Sequence, residues 1–227
     1  MEILKTVDLV KTYGSGETKV EALKSTNLAI REGEFVAVVG PSGSGKSTLL
    51  HLLGGLDRPS SGKVIISGTD MYHLREKELS ILRRRKVGFI FQFYNLIPVL
   101  SAEENITLPL LLDNKDMDKA YIDDLINLLG LNDRRRHLPN ELSGGQQKRV
   151  SIGRALAYRP SVIFADEPTG NLDRRNGREV MELLRLSVQK YHQTLLIITH
   201  DMEVASQADR IISIEDGSIV RDEVMRA

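Results

Sequence analysis

Short apolar runs, separated by segments with helical spacing, dominate the pattern of hydrophobic and polar positions along the chain. The runs lie at residues 34–39, 87–91, 161–165, 194–199 and 211–215. Runs this short and this apolar are typical of parallel strands that are buried on both faces. Since helical segments separate them, the pattern predicts an α/β fold with a mostly parallel sheet flanked by helices.

Two regions depart from this alternation. Residues 1–35 alternate loosely between apolar and polar positions, which is typical of antiparallel strands, and residues 63–67 could join the same sheet. Residues 95–158 show no convincing strand, whereas 118–129 have helical periodicity that stops at Gly130. The sequence therefore predicts one domain over residues 1–227. Its expected divisions are an N-terminal antiparallel β subdomain at 1–35 and 60–70, a core at 36–59, 71–94 and 159–227, and an inserted helical subdomain at 95–158.

Charge and cysteine content exclude several functions. Lys and Arg number 31, as do Asp and Glu, so no global basic field exists to attract nucleic acid, and we expect no nucleic-acid partner. The basic runs at 83–86 and 134–136 are better explained as solvated helix faces or helix ends. Without cysteine, thiolate metal sites and thiol catalysis are excluded.

The sequence contains no stretch that could cross a bilayer. Its longest apolar stretches, such as 108–112 and 195–198, fall far short of the roughly 20 residues that a membrane span needs. The charged start at residues 1–5 is not that of a signal peptide. Any role at a membrane is therefore expected to come through a partner.

A glycine-rich loop between the apolar run 34–39 and a helical segment at 47–53 carries the first candidate chemistry. It fits G-x-x-x-x-G-K-[ST] from Gly40 to Ser47. Its glycines permit backbone turns that present N–H groups to phosphate oxygens, and the helix start adds its positive dipole end. Lys46 would reach the β and γ phosphates and Ser47 would bind Mg²⁺. The alternative is a surface turn without a ligand.

Two acids at the end of a buried strand carry the second candidate chemistry. Asp166 and Glu167 follow the apolar run 162–165, at the sheet edge where open α/β folds bind ligands. Asp166 would hold Mg²⁺ through a coordinated water, and Glu167 is positioned to polarise an attacking water. An apolar run that ends in Asp is common, so this signal gains its weight from the phosphate-binding loop.

His200 and Gln92 also follow buried strands. His200 comes after 194–199, and its imidazole could stabilise charge that develops near a γ phosphate. Gln92 comes after 87–91, where its amide could contact both Mg²⁺ and the attacking water; a simple surface turn is the alternative. The remaining histidines receive no role: His51, His73, His137 and His192.

These motifs, in this order, resemble the ATP-binding-cassette ATPases, the nucleotide-hydrolysing subunits of ABC transporters, over essentially all 227 residues. The resemblance implies a P-loop NTPase core that binds ATP and Mg²⁺. Gly40, Pro41, Ser42, Gly43, Ser44, Gly45, Lys46, Ser47 and Thr48 match the Walker A loop, Ser143, Gly144, Gly145 and Gln146 the signature, and Asn171, Leu172 and Asp173 the D-loop. Tyr13 matches the residue that stacks on adenine, with Val20 where that packing often continues. Glu167, His200, Gln92 and Lys46 are then the expected catalytic residues, with Ser47, Gln92 and Asp166 at the metal.

The signature adds a second anion site. Ser143 to Gly145 open a helix whose hydroxyl and N–H groups can bind an anion, and one small subunit hardly needs two such sites for one triphosphate. In the family, two copies meet head to tail, so that each signature closes on the ATP held by the other copy. The resemblance therefore implies an ATP-dependent homodimer that includes Asp173 at the nucleotide.

Finer features resemble one branch of the family, which contains the macrolide-exporter, lipoprotein-release and peptide-antibiotic-resistance ATPases and the related cell-division ATPase. This branch implies a permease with few transmembrane helices and a large extracytoplasmic domain, held at a groove near residues 93–109, and a location at the cytoplasmic face of the membrane. Regulation of a membrane partner without transport, and a soluble role in translation or DNA repair, are the alternatives. Lys148 departs from the family pattern, which often has glutamine there, without putting activity in doubt.

Overall fold

A computed structural model describes residues 1–113 and 117–225. Residues 114–116 and 226–227, which belong to the predicted helical and core divisions, lie outside the described residues. In chain order the elements are β1 (Glu2–Tyr13), β2 (Val20–Thr26), β3 (Ala29–Arg31), β4 (Phe35–Val39), α1 (Lys46–Leu53), β5 (Ser61–Ile66), β6 (Thr69–Asp70), α2 (Glu76–Lys86), β7 (Val87–Ile90), α3 (Ala102–Leu111), α4 (Lys119–Leu128), α5 (Gly144–Leu156), β8 (Val162–Asp166), α6 (Arg174–Lys190), β9 (Thr194–Ile198), α7 (Met202–Ala205), β10 (Arg210–Glu215) and β11 (Ser218–Val224).

The central sheet has the strand order β11-β10-β4-β9-β8-β7. Adjacent strands from β10 to β7 are parallel, and β11 pairs with β10 as an antiparallel edge strand. The prediction of a mostly parallel sheet flanked by helices is confirmed. Because β4, β9 and β8 are adjacent, the segments that follow them lie at one edge of the sheet.

Apolar side chains cover both faces of this sheet. In β8, Ile163 and Ala165 join a core formed with α3 to α6, whereas Val162 and Phe164 join a core shared with α1 and the antiparallel sheet. A strand buried on both sides has no solvent-facing positions, which explains why the predicted strands read as continuous apolar runs.

The second sheet is antiparallel, with the order β2-β1-β5-β6 and β3 paired to β1. The N-terminal antiparallel strands are therefore confirmed, and the segment predicted at 63–67 joins them as β5. The sheet packs through its buried residues, Leu9 and Leu23 among them, onto the core that contains α1.

The edge strand β11 was not predicted. A turn at Asp216 and Gly217, both with positive φ (45° and 75°), joins it to β10. This two-residue turn matches the right-handed twist of the strands, and Asp-Gly is a strong sequence signal for it. The signal was present in the sequence and would have identified the hairpin.

Helices α3, α4 and α5 form the segment between β7 and β8, where helices were expected. Ser101 caps α3 and Asp118 caps α4 by accepting hydrogen bonds from first-turn N–H groups. The basic run at 83–86 forms the last turn of α2, in agreement with its interpretation as a helix end. Within residues 1–113 and 117–225, no helix combines the length and the hydrophobicity needed to cross a membrane.

Candidate active site

The phosphate-binding loop lies between β4 and α1, as predicted. Gly40, Gly43 and Gly45 have φ of 149°, 78° and 101°, values that side chains disfavour. A Cβ atom on Gly40 would lie 2.1 Å from the carbonyl oxygen of Ile214, and one on Gly45 would lie 2.3 Å from that of Ala22. The loop therefore packs through bare backbone against β10 and β2, and only glycine fits at these two positions.

Polar groups of this loop remain available for a ligand. The ammonium of Lys46 donates to the carbonyl oxygen of Pro41 at 2.7 Å and so folds back over the loop. The buried hydroxyl of Ser44 finds no hydrogen-bond partner within the described part of the chain. Among the described residues, no side chain caps the first turn of α1, whose N–H groups stay free for an anion.

Asp166 and Glu167 follow the apolar part of β8. Burial raises the pKa of the Asp166 carboxyl and the charge of Glu167 raises it further, whereas His51, Ser47 and Lys46 act in the opposite direction. Ser47 and Lys46 belong to the phosphate-binding loop and His51 to α1 behind it, so the loop and the acid at the strand end form one site. A desolvated carboxylate of this kind is stabilised by a nearby cation.

Glu167 adopts an uncommon backbone conformation. Its φ is 43°, a left-handed value that costs free energy for a residue with a side chain. The backbone is held there because the N–H of Glu167 donates to Ile198 at 3.0 Å and its carbonyl oxygen accepts from the N–H of Gly170, also at 3.0 Å. These bonds orient the side chain independently of any ligand.

His200 meets Glu167 directly. Its Nδ1 atom lies 2.9 Å from Oε1 of Glu167, and the imidazole is otherwise largely exposed, with 71% of its surface accessible. The prediction that both strand ends point to the same crevice agrees with this geometry.

Gln92 lies on the other side of the same acid. A Cβ atom on Gly170 would lie 3.0 Å from Nε2 of Gln92 and 3.3 Å from Oε2 of Glu167. The missing side chain of Gly170 thus leaves the space in which the amide and the carboxylate approach each other. The structure brings Gln92, Glu167 and His200 into one cluster.

The signature segment begins α5. The hydroxyl of Ser143 accepts from the N–H of Gln146 at 3.3 Å, and Oε1 of Gln146 accepts from the N–H of Ser143 at 2.9 Å. This reciprocal capping box fixes the helix start. Gly144 faces the hydroxyl of Tyr94, and Gly145 faces Asn176 at the start of α6, so both glycines lie at close approaches.

Asp173 caps α6. Its carboxylate accepts from the N–H of Asn176 at 3.0 Å, and hydrogen bonds from Asn176 hold the pKa of Asp173 below its usual value. Asn171, in the same loop, donates to the carbonyl oxygen of Gln92 at 3.3 Å. The D-loop therefore contacts the segment that carries Gln92.

Tyr13 and Val20 are cross-strand partners in β1 and β2, and both are exposed, Tyr13 by 42%. The hydroxyl of Tyr13 donates to Asp57 at 2.7 Å. Lys11 bonds the other oxygen of Asp57 at 2.7 Å and lies 4.7 Å from the centre of the Tyr13 ring. The ring is thus anchored at its hydroxyl end while a face remains exposed.

Sequence reasoning missed the residues that position others. Asp57 and Lys11 hold Tyr13, and Lys148 with Arg154 holds the backbone around Gln92. These contacts join positions far apart in the chain, so no local pattern could have identified them. The departure from the family pattern at Lys148 was the one available signal.

A cavity of about 350 Å³ lies between the α2–β7 segment and helices α3 and α5. Its apolar wall includes Leu56, Phe89, Leu108 and Pro109, and its polar wall includes Arg84 and Arg154. Exposed apolar side chains of the adjoining segments are Phe93, Ile97, Val99, Leu111 and Leu112.

Comparisons with known proteins agree with this geometry. The family model described as "ABC transporter" matches residues 23–170. The lipoprotein-releasing system ATP-binding protein LolD of Geobacter metallireducens is 46% identical over 97% of this chain and 99% of its own length. The macrolide export ATP-binding/permease protein MacB of Nitrosomonas europaea is 52% identical over 94% of this chain, which spans only 33% of that relative.

A solved structure supports the same assignment. The ATP-binding cassette MJ0796, described as a dimer in a post-hydrolysis state with ADP and Pi, has a TM-score of 0.88 and 43% identity, and the match covers 99% of each chain. The chain therefore belongs to the ABC transporter family, as one of its ATP-hydrolysing cassettes.

Proposed function

We propose that the chain hydrolyses ATP at the loop 40–48, with Glu167 as the general base, and that it drives a membrane permease. The observation that supports this assignment best is the cluster of Gln92, Glu167 and His200 beside Asp166, which itself interacts with Ser47 of the loop. When water attacks a γ phosphate, the reaction needs a base, a polarising amide and an imidazole at the phosphate site. These are the groups in this cluster.

The loop would hold the triphosphate mainly with its backbone. The first-turn N–H groups of α1 and the ammonium of Lys46 meet the β and γ phosphates, and Lys46 exchanges its bond to Pro41 for phosphate oxygens. Tyr13 presents its exposed face to the adenine ring, with Val20 beside it.

Mg²⁺ fits the polar groups at this edge. The half-buried carboxyl of Asp166 would gain a counter-charge there, and partial burial already raises its pKa. The hydroxyl of Ser47 and the amide of Gln92 would supply further oxygens. Within the described residues, no group of three or more His, Asp or Glu side chains could hold a metal ion alone. The donor set agrees with Mg²⁺, which takes one or two carboxylates together with substrate phosphates. The ion supplies positive charge that neutralises the phosphate oxygens.

Glu167 would accept a proton from the attacking water as the oxygen of that water bonds to the γ phosphorus. The bond from this phosphorus to the β,γ-bridging oxygen breaks, and ADP and phosphate are the products. His200 holds the Glu167 carboxylate through Nδ1 and faces solvent with the rest of its ring, where the γ phosphate of ATP would lie.

A second copy would complete the site. The capped start of α5 offers N–H groups and the Ser143 hydroxyl to an anion, and ATP would be held between the loop 40–48 of one copy and residues 143–146 of its partner. Asp173, at the start of α6, would lie at this interface. The related cassette that was solved as a dimer supports this arrangement.

The permease would dock at the apolar cavity near Phe93 and Pro109. Exposed apolar residues beside this cavity, among them Val99 with 78% accessible surface, suit an apolar helix of a membrane protein. Such a helix would lie at the cytoplasmic face, where the cassette would be peripheral. Relatives named for macrolide export and lipoprotein release support a membrane permease as the partner. We propose that this permease has few membrane helices and a large extracytoplasmic domain.

Hydrolysis tests the assigned base. Glu167→Gln keeps the size and hydrogen bonding of the side chain, so ATP binding is expected to persist while turnover falls by roughly 10² to 10⁴. Glu182→Gln, a change at an exposed acid on α6, serves as the matched control and is expected to turn over normally. Normal turnover in Glu167→Gln would overturn the base assignment.

Light scattering tests the dimer. Glu167→Gln with saturating Mg-ATP is expected to dimerise, and addition of EDTA is expected to return it to the monomer. A monomer at high protein concentration with Mg-ATP would contradict a dimer formed by this chain alone.

Capture from membranes tests the partner. Tagged Glu167→Gln with Mg-ATP, recovered from detergent-solubilised membranes of the native host, is expected to retain a permease of few spans and large outer domain.

The ATP turnover of the wild-type complex then distinguishes the two membrane functions. Turnover that rises with a transported substrate supports export, whereas unchanged turnover favours regulation of a membrane partner. Recovery of soluble proteins or ribosomes alone would overturn the membrane assignment.

A further inference from the structure

Lys148 is a buried cation in the second turn of α5. Its side chain is fully inaccessible to solvent, and its ammonium donates to the carbonyl oxygens of Phe91 at 2.8 Å and Gln92 at 2.9 Å. The ammonium also lies 5.2 Å from the centre of the Tyr94 ring. The helix that begins with the signature thus holds, through this one side chain, the backbone at the end of β7.

This arrangement is costly unless the charge is stabilised. Within residues 1–113 and 117–225, no carboxylate lies within 4.0 Å of the ammonium, so carbonyl dipoles and an aromatic face are its stabilising neighbours. Burying a cation without an anionic partner destabilises a fold unless its hydrogen bonds compensate. The two bonds that the ammonium donates to Phe91 and Gln92 are charge-assisted, and such bonds are stronger than those of a neutral donor.

Arg154, further along α5, extends this hold. Its guanidinium donates to the carbonyl oxygens of Tyr94 at 3.0 Å and Asn95 at 2.6 Å. Two cations of one helix thus bind the carbonyl oxygens on either side of Phe93. Residues 91–95 are tied to α5 by hydrogen bonds along their length and have to follow it when it moves.

Gln92 connects this tie to the active site. Its carbonyl oxygen accepts from both Lys148 and Asn171, while its amide lies against Gly170, next to Oε2 of Glu167. At the other end, the hydroxyl of Tyr94 reaches Gly144 of the signature. One continuous set of contacts therefore runs from the start of α5 to the general base.

We propose that Lys148 is a positioning residue, which fixes the backbone of Gln92 to α5 so that displacement of the signature helix moves the Gln92 amide relative to Glu167. The inference rests on the proposed function of Gln92. A glutamine at position 148 has a shorter, neutral side chain and would hold these carbonyl oxygens more weakly. The lysine makes the coupling in this chain stiffer than a glutamine would.

A double-mutant cycle tests the inference. Lys148→Met has similar length but no donor, and it is expected to lower kcat by about tenfold or more, because a small misplacement of a catalytic group is costly, while KM for ATP changes little. In the background of Gln92→Ala the same substitution is expected to lower kcat no further. A residue with only a structural role would instead lower the rate by the same factor in both backgrounds.

Two further variants keep the test decisive. Lys148→Gln retains donors and is expected to turn over faster than Lys148→Met; it replaces Lys148→Met in the cycle if the latter does not fold. Lys77→Met, at an exposed position on α2, controls for loss of a lysine and is expected to behave as wild type. Wild-type kcat in Lys148→Met, or additive effects with Gln92→Ala, would overturn the positioning role while leaving the function proposed for Glu167 intact. Normal turnover in Glu167→Gln would instead contradict the proposed function itself.

Discussion

Nδ1 of His200 lies 2.9 Å from Oε1 of Glu167, and this contact joins the ends of two neighbouring parallel strands. A carboxylate accepts hydrogen bonds and cannot donate them, so Nδ1 carries the proton in this contact. The imidazole therefore orients the carboxylate of the proposed base before any nucleotide binds. The same contact leaves the rest of the His200 ring at the surface, where a phosphate group could contact it.

His200→Ala removes this support, and we expect turnover to fall on the order of 10²-fold, the usual cost of losing one preorganised donor. ATP binding is expected to change little, since the loop 40–48 is the segment that we propose to hold the triphosphate. Rates measured by phosphate release under saturating Mg-ATP test this. His73→Ala, at an exposed residue of a 3₁₀ turn, is the control, and equal rates in the two variants would contradict the role of His200.

Gly170→Ala is expected to slow hydrolysis by about tenfold. The new methyl group would lie 3.0 Å from Nε2 of Gln92 and 3.3 Å from Oε2 of Glu167, closer than ordinary contact, so both side chains have to shift. Gly177→Ala is a matched control, because its methyl group would meet Thr169 at an ordinary 3.5 Å. Since Gly177 lies inside α6, that control is expected to keep its rate and to gain roughly 0.5–1 kcal/mol in urea unfolding. Wild-type kcat in Gly170→Ala would show that the space beside the base is not needed.

The sequence predicted much of this site because its groups lie at strand ends. A buried parallel strand is a continuous apolar run, and the polar residue after it has to emerge at one edge of the sheet, as Asp166, Glu167 and His200 do. The direction in which each of these side chains points is not encoded by the neighbouring sequence. That His200 would bond Glu167, and that Gly170 would leave room for Gln92, depends on strand register and on the left-handed backbone of Glu167.

Long-range polar contacts were the part that the sequence could not predict. A lysine in an otherwise mixed helical segment reads as solvent-exposed, yet Lys148 is fully buried because the carbonyl oxygens of Phe91 and Gln92 lie opposite it. The edge strand β11, in contrast to these contacts, could have been predicted from the sequence. Its Asp-Gly turn indicates a hairpin, but the prediction relied on apolar runs and so missed it. Alternation in β11 is weak because a sheet edge faces solvent.

Tyr13→Ala is expected to raise KM for ATP by about tenfold and to leave kcat nearly unchanged, because an exposed ring that stacks on a base adds binding free energy without contacting the phosphates. Tyr13→Phe is the matched control. It keeps the ring and loses only the hydrogen bond to Asp57, so its KM is expected to stay within about threefold of wild type. A fall in kcat without a change in KM for Tyr13→Ala would contradict adenine stacking.

Asp113 connects the segment after α3 to the core. Its carboxylate accepts hydrogen bonds from Arg84 and Arg85 at 2.7 Å each and from the hydroxyl of Tyr158, and only 7% of its side chain is accessible. The bonds from Arg85 and Tyr158 lower the pKa of Asp113 to about 2. In the folded protein the pKa of Asp113 lies below its usual value of 3.8. The carboxylate therefore stabilises the fold at pH values above 3.8, and this stabilisation is lost as the pH falls toward about 2.

Asp113→Asn is therefore expected to lower the free energy of unfolding near neutral pH, and the difference from wild type is expected to shrink as the pH falls through about 4 to 3. The amide keeps the shape of the side chain but has no charge to offer Arg84 and Arg85, and protonation removes the same charge from wild type in acid. Urea unfolding of both proteins at each pH measures this difference. Asp133→Asn, at an exposed position of a 3₁₀ turn, controls for loss of a carboxylate. If the destabilisation of Asp113→Asn were the same at all pH values, the charge of Asp113 would not be what holds this segment to α2.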